Sequence, residues 1–109
     1  MQIEVTVRHA SIDEELKTYA EEKASHLLKY YDKILAIRVL LDSTKSGFDC
    51  EMIVNVERMH DLVARTTATD LRAAIDQAAD RLERQLTEHK DRTRHRKGRG
   101  PHPHQPTRT

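Results

Sequence analysis

Residues 70–92 read DLRAAIDQAADRLERQLTEHKDR, and the apolar residues of this stretch recur at the spacing of one helix face. At about 100° per residue, these residues form a single stripe. The stripe consists of Leu71, Ile75, Ala78, Leu82 and Leu86. Because a helix with one apolar stripe must bury it against another layer, the stretch predicts an amphipathic helix in a layered domain.

The charged residues of this helix segregate to opposite flanks of the stripe. One flank carries Asp76, Asp80 and Glu83, and the other carries Gln77, Arg81 and Arg84, with Arg92 continuing its line. Mixing the charges would gain only about 0.2–0.5 kcal/mol for each i,i+4 pair. Segregation instead creates a directional positive edge, which predicts a docking surface for a polyanion.

Apolar runs in the rest of the chain predict four strands, over residues 3–7, 34–41, 48–56 and 62–67. Ser11 and Glu14 form a candidate capping box, with Asp13 as a second candidate cap, for a first helix that runs to about Tyr31. Its stripe is Leu16, Ala20, Ala24, Leu27 and Tyr31. Residues 43–47 predict a loop, residues 57–60 a short turn, and Thr69 or Asp70 a cap for the second helix.

The element order is therefore β-α-β-β-β-α, an α+β fold. A helical crossover makes the first two strands parallel, and the later strands form an antiparallel meander. We expect a four-stranded mixed sheet with both helices on one face. The opposite face would carry Thr6, Arg8, Arg38, Asp49, Glu51, Asn55 and Arg65, with Ile53 and Val63 among them.

The chain has 109 residues and a formal net charge of +1, but the charge is unevenly distributed. Residues 90–109 carry seven Lys or Arg and one Asp, a net charge of +6, which leaves −5 on residues 1–89. From Arg94 the composition is mostly Arg, His, Pro and Gly, without large apolar residues. We expect one folded domain over residues 1–93 and a disordered basic tail over residues 94–109. A purely solubilising tail is the alternative to one that binds a polyanion.

Catalytic and metal chemistry find little support in the sequence. Cys50 is the only cysteine and lies at an inward-facing strand position. The histidines lack metal-ligand spacing, and the three glycines form no phosphate-binding loop. We expect a cytoplasmic protein that is not an enzyme, with no metal site, cofactor, small-molecule substrate or membrane partner.

The first predicted helix carries a second basic group, interrupted by Glu22. The group consists of Lys23, His26, Lys29 and Lys33. If the two helices pack side by side, their basic edges would line one groove. An ordinary solvated helix surface is the alternative interpretation.

Residues 16–34, LKTYAEEKASHLLKYYDKI, and the second-helix stretch together resemble the ribosome hibernation promoting factor and protein Y family. The resemblance covers residues 1 to about 92. It implies a fold like that of double-stranded RNA-binding domains. It also implies binding to the small ribosomal subunit and its ribosomal RNA, in the channel between head and body that messenger and transfer RNA occupy.

The resemblance implies an RNA contact on both helices. The matching or adjacent positions are Lys23, Lys29, Arg81, Arg84, His89, Lys90 and Arg92. Three residues depart from the family pattern: Glu88 and His26 stand where lysine is usual, and Arg72 replaces a common tyrosine. Glu88 places a negative charge within the predicted edge, which the basic tail could offset.

The resemblance therefore implies a factor that silences ribosomes in stationary phase or stress, and we expect it to be monomeric when free. The chain resembles a short form, or an isolated N-terminal domain, that acts on single ribosomes or with a separate modulation factor. Two alternatives stay open at this point. One is a general double-stranded RNA-binding module acting off the ribosome, and the other is a protein-interaction module in which only the tail contacts nucleic acid.

Overall fold

The computed structural model describes the backbone of residues 2–98 and the side chains of residues 2–88. Four strands, β1 Gln2–Arg8, β2 Ile34–Thr44, β3 Gly47–Val56 and β4 Leu62–Ala68, lie in that spatial order in one sheet. The helices are α1 Glu14–His26, which continues into a 3₁₀ turn Leu27–Lys29, and α2 Leu71–Gly98. β1 pairs with β2 in parallel, and the β2–β3 and β3–β4 pairs are antiparallel. The predicted α+β order and mixed sheet are confirmed.

Both helices pack on one face of the sheet, where they bury the predicted apolar stripes. All five stripe residues of α2, from Leu71 to Leu86, are at most 5% exposed. Ala20, Ala24 and Leu27 are likewise buried, whereas Leu16 and Tyr31 are only partly covered. Alternation along the strands supplies the other half of the core. Its central members are Ile37, Val39, Leu41, Cys50, Met52 and Val54.

The helix caps differ in part from the prediction. The Asp13 carboxylate accepts a hydrogen bond from the Leu16 main-chain N–H at 2.9 Å, and α1 begins at Glu14. Glu14 is therefore the first helical residue rather than the third, so the predicted Ser11–Glu14 capping box is wrong. The α-helix also ends at His26 and not near Tyr31. At the second helix, Asp70 is the cap, because its carboxylate accepts from the Ala73 N–H at 2.8 Å.

The connection between β2 and β3 is shorter than the predicted loop over residues 43–47. Ser43 pairs with Phe48 and Thr44 with Gly47, so only Lys45 and Ser46 form the turn. Polar residues extend the strands here because ladder hydrogen bonds join main-chain groups whatever the side chain.

α2 continues to Gly98, past the boundary predicted at residues 93–94, and the division into a folded domain and a basic tail stays a prediction. Adding a residue to an existing helix avoids the unfavourable nucleation step, which allows the backbone to stay helical beyond the last apolar stripe residue. The remainder of the predicted tail, residues 99–109, lies outside the described residues. Neither helix in the described part of the chain has the length and hydropathy that a bilayer-spanning helix needs.

Candidate nucleic-acid interface

The helix layer carries the residues predicted to contact RNA. α1 packs mainly on β1, α2 packs on β3 and β4, and the two helices contact each other. The outward surface of this layer therefore has three parts: the seam between the helices, the ridge of each helix, and the flank of α2 beside β4.

At the seam, α1 meets the acidic flank of α2. The Lys23 ammonium nitrogen lies 3.6 Å from an Asp76 carboxylate oxygen. The same carboxylate accepts a hydrogen bond from the Tyr19 hydroxyl, and the Arg72 guanidinium lies 4.3 Å from the centre of the Tyr19 ring. We call Tyr19, Lys23, Arg72 and Asp76 the seam cluster. It joins the helices by one shared carboxylate and one cation–aromatic contact.

The seam also changes the titration of two tyrosines. The hydrogen bond to the Asp76 carboxylate raises the pKa of Tyr19, burial and the negative charge of Asp76 add to the effect, and Arg72 opposes it. A hydrogen bond to the Glu83 carboxylate likewise raises the pKa of Tyr30. Both tyrosines thus stay protonated as hydrogen-bond donors to the acidic flank of α2.

The opposite flank of α2 lies along the free edge of β4. Arg81 donates a hydrogen bond from Nη1 to the Arg65 carbonyl oxygen at 3.0 Å, and Gln85 donates to the Val63 carbonyl at 3.3 Å. Asp76 and Arg81 are five residues apart, which separates them by about 140° around the helix. The positive edge of α2 therefore faces away from α1.

The predicted groove lined by the basic edges of both helices is not formed. The helices do pack side by side, but Lys23 faces Asp76 across the seam while Arg81 lies on the far flank of α2. The apolar stripes determine which side of each helix faces the sheet. They do not determine which flank of α2 meets α1, because that depends on the positions of both helices across the strands.

Several predicted cations remain available to a ligand on the outward surface. Lys29, at the end of the 3₁₀ turn, and Arg84, on the ridge of α2, are exposed and form no ion pair with any described side chain. Arg81 is exposed as well and keeps donors beyond the one it uses on β4. Lys23 is half-buried and shares its charge with Asp76. These four residues therefore differ in how much positive charge they present.

Arg65 is not among the RNA contacts predicted from the sequence, and its main-chain carbonyl lies beside this surface. Its side chain is 70% exposed, and its guanidinium lies 3.8 Å from the Asp49 carboxylate. Arg65, whose carbonyl oxygen accepts the hydrogen bond from Arg81, is sixteen positions away from it in sequence. Strand alternation places the Arg65 side chain on the outer sheet face, and the packing of α2 on the β4 edge brings the Arg81 guanidinium to the Arg65 main chain.

The end of α2 holds the remaining predicted contacts. The backbone at His89, Lys90 and Arg92 is helical, and their side chains lie outside the described set, so their RNA contact stays a prediction. Glu88 is exposed and lies two turns beyond Arg81 on the same flank. The departure from the family pattern thus puts a carboxylate on the positive edge itself.

The buried Cys50 thiol is the one described cysteine. Burial raises its pKa to about 12, with a smaller contribution from the charge of Glu51. A thiol that stays protonated and has no solvent access is a poor nucleophile. Within residues 2–88, no three His, Cys, Asp or Glu side chains come close enough to hold a metal ion.

Comparison with known proteins gives a consistent family likeness. The family described as "Sigma 54 modulation protein / S30EA ribosomal protein" matches residues 3–94. A ribosome hibernation promoting factor of Azotobacter vinelandii is 33% identical over 92 residues, which cover 84% of this chain and 85% of that protein. The protein of the same name from Escherichia coli K12 is 35% identical over 94 residues, covering 84% and 96%.

Solved structures show the same architecture. The N-terminal domain of Thermus thermophilus Protein Y superimposes with a TM-score of 0.72 at 30% identity, covering 82% of this chain and 99% of that one. A ribosomal subunit interface protein from Coxiella burnetii also gives a TM-score of 0.72, at 22% identity, covering 84% and 99%. The second likeness concerns the fold alone.

Proposed function

The chain belongs to the sigma 54 modulation protein and S30EA ribosomal protein family, and we propose that it is a ribosome hibernation factor. In this proposal the domain binds the small ribosomal subunit in its decoding channel, excludes messenger and transfer RNA, and silences translation in stationary phase or stress. The observation that carries the proposal is the likeness to named hibernation factors over 84% of the chain. The family is one of ribosome-associated factors, so the proposal includes no catalytic step.

The structure supports binding through phosphates and RNA shape. Lys29, Arg81 and Arg84 project from an outward helix surface, and the helix end carries Lys90 and Arg92. Lys23 and His89 complete the proposed set. Contacts of this kind recognise the backbone of folded RNA and carry little sequence information. Inhibition then follows from occupancy, because a folded domain in the channel leaves no room for another RNA.

The electrostatic contribution has a measurable signature. Each phosphate that a cation neutralises releases condensed counterions, so the logarithm of affinity falls with the logarithm of salt concentration by about 0.7–0.9 per contact. Removing two contacts should therefore both weaken binding and flatten its salt dependence. A change in shape alone would weaken binding without changing that slope.

The test uses Lys29→Glu combined with Arg84→Glu, because neither side chain has a partner among the described residues whose loss would unfold the domain. Co-sedimentation with purified small subunits at several salt concentrations gives affinity and slope, and cell-free translation gives inhibition. Lys45→Glu with Arg58→Glu is the matched control, since it makes the same charge change in the β2–β3 and β3–β4 turns. We expect the first variant to lose affinity and inhibition and the control to retain them. Wild-type binding and inhibition by the helix variant would refute the proposed surface.

A competition experiment separates this function from general RNA binding. Free duplex RNA in excess should leave the protein on small subunits if the channel is the specific site. Displacement by duplex RNA at concentrations comparable to that of the subunits would favour a module that acts off the ribosome. Sedimentation of stationary-phase lysate would then show the protein away from subunits and ribosomes.

A further inference from the structure

A cavity opens at the end of the sheet where β2 begins and β3 ends. Its volume is about 340 Å³, within the range of about 300–1,000 Å³ that is typical of small-ligand sites. Two chain segments form it, and a main-chain hydrogen bond of 2.9 Å from the Glu57 N–H to the Lys33 carbonyl oxygen joins them. We call this cavity the end pocket. Its lining consists of Tyr31, Lys33, Glu57, Arg58 and Met59.

The end pocket carries an excess of positive charge. The Lys33 and Arg58 side chains are exposed, and neither forms an ion pair with any described side chain, Glu57 included. Two further cavities in the described part of the chain have an excess of carboxylates. One is lined in part by Glu4, Asp61 and Arg38, and the other by Glu14, Glu15, Glu22 and Arg72. Of these cavities, the end pocket is therefore the one that suits an anionic ligand.

The backbone of Arg58 adopts a conformation that is rare for residues other than glycine. The Met59 N–H donates to the Val56 carbonyl oxygen at 3.3 Å, which closes a β-turn, and Arg58 stands at the third position of this turn with a φ of +65°. Glycine or asparagine is usual at such a position, because a Cβ is unfavourable there. Strained residues of this kind cluster at binding sites. The strain thus points to a role for the Arg58 side chain other than folding.

We propose that the end pocket binds a free nucleotide, a ligand that combines a phosphate with an aromatic base. Lys33 supplies a compact positive charge and Arg58 a planar fork of donors, and together they bind the phosphate oxygens. Tyr31 and Met59 supply an aromatic ring and a thioether against which the base packs. The ionised Glu57 carboxylate only accepts hydrogen bonds, so it favours a base such as guanine, whose N1–H and N2–H groups lie side by side.

The end pocket is separate from the helix surface proposed to contact RNA. Lys33 belongs to the basic group of the first predicted helix, yet α1 ends at His26 and Lys33 directly precedes β2. Arg58 lies in the β3–β4 turn. Asp32 and Asp61 are exposed on the same two segments, and their charges would repel the flanking phosphates of a longer strand. A single nucleotide therefore suits the end pocket better than an RNA chain, and the proposal does not depend on ribosome binding.

The first measurement is a titration of the full chain with guanosine monophosphate (GMP), followed by the NMR signals of the main-chain amides. About 150 mM salt screens non-specific attraction to the cationic helix surface. We expect saturable shifts at the residues of the end pocket with a Kd of about 0.1 mM, because the cavity is open and its charges are exposed. Absence of saturable shifts, or shifts confined to α2, would overturn the proposal. The sample contains no ribosomes, so this failure would leave the proposed hibernation function untouched.

Fragments of the ligand test the two halves of the end pocket. Guanosine and inorganic phosphate, each titrated alone, should bind at least about tenfold more weakly than GMP, because each uses only part of the lining. Uridine monophosphate carries the same phosphate, but oxygen acceptors flank its one base N–H, so we expect weaker binding beside the Glu57 carboxylate. Equal affinity for phosphate and GMP would mean that the base makes no contact, and the nucleotide assignment would then be wrong.

Arg58→Gly separates ligand binding from folding. Glycine adopts a φ of +65° without a Cβ, so the urea midpoint should equal or exceed that of wild type, while the affinity for GMP falls at least about tenfold. Lys33→Gln should weaken binding by a similar factor. Lys45→Gln removes the same charge in the β2–β3 turn, about 35 Å away along β2, and is the matched control. Wild-type GMP affinity in Arg58→Gly, or an equal loss in Lys45→Gln and Lys33→Gln, would exclude the end pocket as the binding site.

Discussion

Arg81 on α2 donates a hydrogen bond from its guanidinium to the main-chain carbonyl of Arg65 on β4, at 3.0 Å. β4 is an edge strand, and the unpaired carbonyls of such an edge invite pairing with another chain. Gln85 occupies a second carbonyl, that of Val63, at 3.3 Å. One flank of α2 thus covers the sheet edge while it also presents the positive charge proposed to contact RNA.

Arg81→Ala should therefore lower the free energy of unfolding, whereas Arg84→Ala, one turn further along α2, should not. The lost hydrogen bond predicts a decrease of about 0.5–1.5 kcal/mol in the free energy of unfolding. Arg84→Ala removes an exposed side chain without a described partner and should stay within about 0.5 kcal/mol of wild type. Urea unfolding of the two variants measures the difference. Equal stabilities would show that the Arg81 contact contributes nothing.

Asp76→Asn should strengthen binding to the small subunit under the proposed function. Asp76 lies 3.6 Å from Lys23 and offsets its charge, so neutralising it leaves the ammonium available to a phosphate. We expect higher affinity and a salt slope steeper by up to about 0.7–0.9. Asp80→Asn makes the same charge change on α2 without touching Lys23 and serves as the control. The prediction is wrong if the two variants bind alike.

Tyr19 should contribute to stability in a pH-dependent manner. Its pKa is raised in the folded state, chiefly by the hydrogen bond to Asp76. The contribution is therefore complete below the unfolded pKa, near 10, and is lost as pH rises through the higher folded value. Tyr19→Phe should show a smaller fall in unfolding free energy than wild type above pH 10, measured by chemical denaturation across that range. Parallel pH profiles for the two proteins would contradict the assignment.

Cys50 should be unreactive in the folded protein. Its thiol is fully buried, and its pKa is raised to about 12 by that burial. We expect negligible reaction with a thiol-specific disulfide reagent at pH 8 in native buffer and stoichiometric reaction in denaturant. Rapid labelling under native conditions would mean that the sheet opens readily at β3.

Gly47 should resist substitution. Its φ is +140°, and a Cβ added there would lie 2.5 Å from the Ala68 carbonyl oxygen. Gly47→Ala should destabilise the domain by about 1–3 kcal/mol through backbone strain and this close contact. Ser46→Ala, in the adjacent turn, should remain within about 0.5 kcal/mol of wild type. Thermal or urea unfolding of both variants checks the contrast.

Local patterns in the sequence predicted much of this architecture. The spacing from Leu71 to Leu86 and the alternation along β3 each reflect burial of one face of the element. A buried face repeats with the period of a helix or a strand, so consecutive residues reveal it. The wrong predictions concern the ends of elements, where two neighbouring residues fit the same local role about equally well. Asp13 and Ser11 are both good caps, and in the structure the later one, Asp13, caps α1. Likewise, the length of the β2–β3 turn depends on a register that extends through Thr44.

The sequence by itself determined the element order, the buried stripes, the segregation of charge on α2 and the family likeness. These properties depend on residues within a few turns of one another, so a linear pattern contains them. Only the tertiary structure decided that Lys23 meets Asp76 while Arg81 meets the β4 edge, because these pairs join residues far apart in the chain. The side of α2 that faces α1 follows from how two helices share one twisted sheet, which no single segment encodes.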